Sequence, residues 1–324
     1  MNPTPHLLAI GFSTADAETA ASFYTQTLGF ERTQTLTIDA GAYADLVGLP
    51  GAQLKLVRLQ LGLETLELTE VVTLGSGNRP GRPVPADSRS CDLWFQHICI
   101  VVSDLAAAHG QLQPAIQAGL VRAISTEPQT LPAWNMAAAG IQAYKCRDQE
   151  GHSLELLEFP ADKGEARWHG GSGLFLGIDH SAISIANTAA SSRFYGEVLG
   201  LNPGGGGINS GPSQDGLDGL SDTQVRITAY RCPSGAGLEA LQYLWPNSGR
   251  PIPPDQATQD LAHWQIRLQV DDLEATASRI EASGLGRCCS SVMDLANQST
   301  ALGFDRALQV ADPDGHQLQL VTSS

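Results

Sequence analysis

GRPVPADSRSCDLWFQH, residues 81–97, recurs without a gap as GRPIPPDQATQDLAHWQ, residues 249–265. A repeat of this kind marks a duplicated unit and has to be read before any single residue. Two shorter echoes fall in the same order in each half. FYTQTLGF (23–30) is answered by FYGEVLGL (194–201), and DQEGHSLE (148–155) by DPDGHQLQ (312–319). The chain therefore reads as two copies, 1–160 and 174–324, joined by the polar, glycine-rich stretch 161–173 (ADKGEARWHGGSG).

Each copy divides again, at about 1–75 and 92–160, then 174–246 and 260–324. A strand-like run opens each module: Leu7–Phe12, Ile98–Val102, Ile183–Ile185 and Ile266–Val270. A capping Asp or Asn follows (Asp16, Asp104, Asn187, Asp272), whose side chain can accept from the free N–H groups of a helix start. Gly29, Gly200 and Gly284 stand where three of the helices stop. Alternating runs close the modules at Thr65–Val71, Ser153–Phe159, Gly237–Leu244 and Gln317–Val321. Strand, helix and three strands, four times over, predict an α+β fold of four βαβββ modules. Gly110 and Pro114 predict a short or split second helix. Gly204–Gly207 sit in a segment, 202–218, that ends in no GK[ST], which excludes a phosphate loop and predicts a lid loop carrying Asn209 and Gln214. Asp92 and Asp260 are equivalent across the repeat and are expected to tie down the strand entries. His152 and His316 are expected in turns.

Composition narrows the function. Of 324 residues, 42 % are hydrophobic and 16 % charged, which is globular. The formal charge of −15 opposes binding to nucleic acid or an anionic membrane. No apolar run could span a bilayer and the N-terminus lacks the pattern of a signal peptide, so a cytoplasmic protein is expected. The six cysteines show neither CxxC nor zinc-ribbon spacing, and free thiols are expected.

The strand-helix opening, the FYxxxLG(F/L) signature and the DxxGHxL(E/Q) ending resemble the vicinal oxygen chelate superfamily, which includes glyoxalase I, extradiol dioxygenases and bleomycin-resistance proteins. The resemblance spans nearly the whole chain. It implies that modules pair into two glyoxalase/dioxygenase-like domains, each a cup with metal ligands on its first and last strands. Alternation on a strand allows this: His97, Cys99 and Val101 would face the cup while Ile98, Ile100 and Val102 pack on the helix. Counting back seven residues from each cap gives first-strand positions Ala9, His97, His180 and Gln265. The last-strand positions are read as Glu67, Glu155, Gln242 and Gln319.

Pairing within each half would give the N-terminal cup Ala9, Glu67, His97 and Glu155. That set suits a divalent transition metal (Fe, Mn, Ni or Zn) held by His97, Glu67 and Glu155, with Ala9 a vacancy. The C-terminal cup would hold His180, Gln242, Gln265 and Gln319, with His263 on the same strand face as Gln265. Amides do not balance a dication, so this cup is expected to bind a polar or aromatic ligand. The resemblance implies a metal-dependent lyase, isomerase or dioxygenase acting on a small oxygen-bearing molecule, with Glu67 or Glu155 as base. The alternative is a metal-free binding protein similar to bleomycin-resistance proteins. A homodimer is compatible with either.

Overall fold

The computed structural model describes residues 4–322. Module one comprises β1 (His6–Thr14), α1 (Ala17–Leu28), β2 (Glu31–Ile38), α2 (Ala42–Leu46), β3 (Gln53–Leu61) and β4 (Glu64–Thr73). Module two comprises β5 (Gln96–Val102), α3 (Leu105–Gln117), the short β6 (Arg122–Ala123) and β7 (Gln129–Thr130), β8 (Gln142–Arg147) and β9 (Ser153–Glu158). Module three has β10 (Phe175–Ser184), α4 (Thr188–Ser192, prolonged by a wider turn over Arg193–Val198), β11 (Asn202–Ser210), α5 (Pro212–Asp218), β12 (Gln224–Arg231) and β13 (Gly237–Trp245). Module four has β14 (Trp264–Gln269), α6 (Leu273–Ser283), β15 (Arg287–Cys288), β16 (Met293–Asp294), α7 (Ser299–Leu302), β17 (Arg306–Ala311) and β18 (Gln317–Thr322).

The expected caps start the four principal helices. Asp16 accepts from Glu18 and Thr19 N–H, Asp104 from Ala107, Asn187 from Ala190 and Asp272 from Ala275. Gly29 and Gly284 end their helices with φ of 72° and 64°, a region costly for a residue with a Cβ. Contrary to expectation, α3 runs unbroken through Pro114. The proline ring would press on the carbonyl of the residue four back, and that residue is Gly110, whose backbone yields most easily. The glycine run is likewise no loop but lies in edge strand β11 against β12. A Cβ on Gly206 would come 2.1 Å from the Ile227 carbonyl oxygen, so only glycine allows this approach.

Two nine-stranded sheets result, in the orders β15-β17-β18-β14-β1-β4-β3-β2, with β16 also on β17, and β11-β12-β13-β10-β5-β9-β8-β6, with β7 also on β8. Modules one and four share the first sheet and modules two and three the second. The pairing of modules within each half is therefore not the one found: each cup takes one module from each half. The helical faces behave differently. One core gathers residues of modules one and two, such as Phe12, Tyr24, Ile98 and Leu156, and another gathers residues of modules three and four, such as Ile183, Tyr195, Ile266 and Leu320. Each half thus buries its helices in a core of its own while exchanging sheet edges with the other.

The repeated motifs hold this exchange together. Asp92 accepts from the Arg250 backbone N–H at 2.9 Å and from its Nη2 at 2.7 Å, while Asp260 accepts from Arg82 N–H at 2.8 Å and Nη2 at 2.9 Å. Each aspartate binds the arginine of the other repeat. Within halves, Tyr24 donates to Asp148 at 3.2 Å and Tyr195 to Asp312 at 2.9 Å, linking the helix of one module to the last turn of the next. His152 lies 2.9 Å from Asp148 through Nδ1 and 2.9 Å from the Ser13 carbonyl through Nε2. The stretch 161–173 contains a buried Trp168 and an Arg167–Glu64 ion pair at 2.6 Å. All six cysteines are unpaired. No helix among the described residues is long and apolar enough to cross a membrane.

Asp148 also accepts from the backbone N–H groups of Glu150, Gly151 and His152. Removing a carboxylate that satisfies a buried imidazole and phenol costs about 3–5 kcal/mol. Urea unfolding of Asp148→Ala should show that loss. A change below about 1 kcal/mol would mean that this network does not secure the half.

Candidate metal centre

The cup of modules two and three is built on the antiparallel pairing of β5 with β10, in which His97 stands opposite Ala182 and Cys99 opposite His180. Parallel pairing then brings a last strand beside each first strand, setting Glu155 beside Cys99 and Glu239 beside Ala182. Two imidazoles and two carboxylates consequently share the concave face. His97 Nε2 lies 2.9 Å from Glu155, and His180 Nε2 lies 3.4 Å from Glu239. His97, Glu155 and His180 each offer a ligand atom within 4.8 Å of the others. His180 Nδ1 is held by Asp179 at 2.8 Å, and Asp179 by Arg231 at 3.2 Å. This fixes the ring and leaves Nε2 turned to the cup, as outer carboxylates do for metal-binding histidines. His180 Nε2 and His97 Nδ1 are buried and make no hydrogen bond among the described residues.

The electrostatics divide the set: His97 and Glu155 are held in the forms that bind a metal, while at His180 burial is outweighed by Glu239 and Asp179, which raise its pKa. Burial pushes the His97 pKa down to about 4, so its ring is neutral at pH 7. Burial opposes ionisation of Glu155 too, but Lys145 and His97 outweigh it and hold its carboxyl at about 2. Glu239 moves the other way: burial, with Asp179 and Glu155 nearby, raises its pKa. A cavity of about 640 Å³ opens above these groups. Leu157, Val225, Ile227 and Leu241 form its apolar wall, while Lys145, Gln214 and Tyr243 add polar atoms. Lys145 is tied to Asp218 at 2.7 Å, and Gln214 donates to the same carboxylate at 2.7 Å. Asn209 lines the cavity as well, accepting from Asn135 at 2.5 Å.

The cup of modules one and four is closed. Its positions are Ala9, Glu67, Gln265 and Gln319, and Arg267 faces Ala9 across β1 and β14 as Cys99 faces His180 in the open cup. Arg267 Nη2 donates to Glu67 at 2.7 Å and Nε to Gln319 at 2.7 Å, while Arg58 donates to Glu67 at 2.8 Å. A guanidinium thus occupies the place where a cation would neutralise Glu67. Beyond it Tyr43, Leu46, Leu54, Leu56, Leu302 and Phe304 pack into the cup as an apolar plug.

Residues 177–320 match the family model described as the Glyoxalase/Bleomycin resistance protein/Dioxygenase superfamily. That stretch, the C-terminal part of the chain, is similar to the vicinal oxygen chelate superfamily. Among solved structures with this fold, glyoxalase I from Zea mays superposes with a TM-score of 0.62 at 14 % identity, covering 98 % of this chain and 92 % of that one. A putative dioxygenase from Bacillus subtilis subsp. subtilis str. 168 superposes with a TM-score of 0.55 at 14 % identity, covering 100 % and 86 %. Curated protein sequences give no match.

The expected ligand groups regroup in the structure. His97 and Glu155 stand together as expected, but Glu67 is in the other sheet, bound to two arginines, and cannot join them. His180 joins His97 and Glu155 and not the glutamines. Gln242 is outside both cups: it accepts from Thr188 Oγ1 at 2.7 Å and donates to the Ala186 carbonyl at 3.1 Å, securing the start of α4. Gln265, His263 and Gln319 belong to the closed cup, where Gln319 is bonded to Arg267. Glu239 escaped the sequence reading, although a signal was present. Leu66-Glu67-Leu68, Leu154-Glu155-Leu156 and Leu318-Gln319-Leu320 align with Leu238-Glu239-Ala240, three residues before the glutamine chosen. Arg58, Lys145, Asp179 and Arg267 were also missed.

Two outcomes follow. Titration calorimetry with Mn, Ni and Zn should find one strong site per chain, lost in His180→Ala and Glu155→Gln and retained in Glu67→Gln. Two strong sites, or retention in His180→Ala, would contradict this assignment. Glu67 has its pKa lowered from 4.5 to about 2, since Arg267 and Arg58 outweigh the opposing effect of burial. Its contribution to stability is full above about pH 4.5 and is lost as the pH falls towards 2. Glu67→Gln should be less stable at pH 7, by about 3–5 kcal/mol, because it strands buried guanidinium groups. Its stability should also fall less between pH 5 and 2 than that of the wild type, measured by denaturant unfolding at each pH.

Proposed function

We propose that this chain is a divalent-metal-dependent isomerase or lyase that moves a proton on a small molecule bearing neighbouring oxygen atoms, in the cup of modules two and three. The observation that carries the reading is the convergence of His97, Glu155, His180 and Glu239 at the base of the 640 Å³ cavity, with His180 Nε2 buried and without a hydrogen bond among the described residues. Two imidazoles and two carboxylates supply the donors and the negative charge that a transition-metal dication requires. Unlike the three-ligand set expected from the sequence, they fill all four positions, as glyoxalase I-like enzymes do. When bound, the ion serves as a Lewis acid for a substrate oxygen.

The two carboxylates divide the work through their opposite environments. Glu155, held ionised by Lys145 and His97, keeps its charge and serves as a ligand. Glu239, with its raised pKa, is suited to take a proton from the substrate carbon at a carboxylate oxygen and return it to the neighbouring position. Asp179 orients His180, and the apolar wall keeps water from the transferred proton. A second reading, an oxygenase, draws on the tighter group of two histidines and one carboxylate within 4.8 Å, the set that extradiol dioxygenases use.

Protein loaded with Mn, Ni, Zn or Fe(II) is to be incubated with α-hydroxy ketones in D₂O and with catechols in aerated buffer. Deuterium incorporation beside the carbonyl is expected, falling by about 10²–10⁴-fold in Glu239→Gln compared at metal concentrations that saturate each protein. Oxygen uptake on catechols without exchange would transfer the assignment to the oxygenase. Absence of both reactions with every metal would leave a binding protein in place of an enzyme.

A further inference from the structure

The closed cup is not closed throughout. Arg267, Glu67 and the apolar plug fill its base, yet a separate cleft of about 410 Å³ remains beside them. His263, Gln309 and Gln317 supply its inner polar groups, and Val47, Ile252 and Pro253 its apolar side. His263 is 5 % exposed and Gln309 4 % exposed. Gln309 Nε2 donates to Gln317 at 3.3 Å, but its Oε1 is buried and accepts no hydrogen bond. The His263 ring has no hydrogen-bond partner among the described residues either; its backbone carbonyl accepts from Ser13 N–H and its backbone N–H donates to the Asp260 carbonyl. An unsatisfied buried polar atom costs about 1–3 kcal/mol, and here Gln309 Oε1 carries that cost in a cleft that the His263 ring also lines.

We propose that this cleft is a metal-free binding site for an uncharged ring compound with N–H or O–H donors. Gln309 Oε1 accepts from the ligand, the His263 ring supplies the second polar contact, and Ile252, Pro253 and Val47 cover its apolar part. The charge of the cleft sets the ligand class. Its inner groups are amides and an imidazole that burial keeps neutral at pH 7, with a pKa of about 4. Arg287 and Asp314 on its lining are of opposite sign, so the cleft carries no net formal charge, and the chain as a whole carries −15. The inner end, at His263, Gln309 and Gln317, offers a ligand no formal charge. Gln309 stands opposite Gln319 as Lys145 stands opposite Glu155, so the same register position is a paired cation in one cup and a free acceptor in the other. This site is independent of the metal reading, since none of its residues touches the open cup.

The test uses benzamide and phenol as probes, with benzoate as the charged counterpart, on the full chain by saturation-transfer NMR and calorimetry. Benzamide or phenol should bind saturably, about tenfold more weakly in Gln309→Leu and in His263→Phe, and benzoate should bind at least tenfold more weakly than benzamide. Binding should persist unchanged in His180→Ala, which separates the cleft from the open cup. Thermal melting of each variant confirms that it is folded; if Gln309→Leu is not, His263→Phe carries the comparison. Non-saturable binding of both neutral probes, equal affinity in folded wild type and variants, or loss of binding in His180→Ala would overturn the proposal.

Discussion

The antiparallel contact between β5 and β10 governs most of what this molecule can do. It joins residues 96–102 to residues 175–184, and its register places His97 and His180 within a ring-centroid distance of 5.9 Å. Neither histidine has a metal-binding partner of its own kind inside its half. The equivalent contact between β1 and β14 builds the other cup from the remaining two modules. A module's sheet has two faces and one free edge. The helix covers one face within the half, and only the other half can satisfy the edge and enclose the second face.

Given one frame, the two cups solve the same electrostatic problem differently. Carboxylates gathered on a concave, buried face repel each other and are costly without a cation. In one cup Glu155 and Glu239 are left beside two imidazoles, with space above them. In the other, a small residue at Ala9 gives room for Arg267, and the guanidinium bonded to Glu67 and Gln319 supplies the positive charge permanently. The apolar plug around Tyr43 and Phe304 then has no reason to stay clear, and the volume above the ion pair is lost.

The sequence made the fold legible to a large extent because the signals for it are local. Caps at Asp16, Asp104, Asn187 and Asp272, terminating glycines and alternating strands specify a module through neighbours in the chain. The recurring Tyr and Asp-Gly-His motifs also proved local in purpose, as Tyr24, Asp148 and His152 fasten helix to turn and take no part in the cup. Which module faces which was not legible. That depends on pairing between strands about eighty or more residues apart, and on edges that look alike in all four copies. His97, Glu155 and His180 could each be picked out as ligand types, but their company was misjudged for this reason. Arg267 shows the second limit: an arginine two residues beyond a ligand position reads as an ordinary strand residue until its partner, Glu67, arrives from the far end of the chain.

The crossed pairing of Asp92 with Arg250 and Asp260 with Arg82 is what two identical half-chains would form about a two-fold axis. Such a symmetric pair is bound to repeat every change: a histidine lost from one cup is lost from both. Covalent linkage through residues 161–173 removes that obligation. With each of the eight cup positions encoded once, a single chain can keep a charge-hungry site in one place and abolish it in the other. The asymmetry between the cups is thus a freedom that only the fused form possesses.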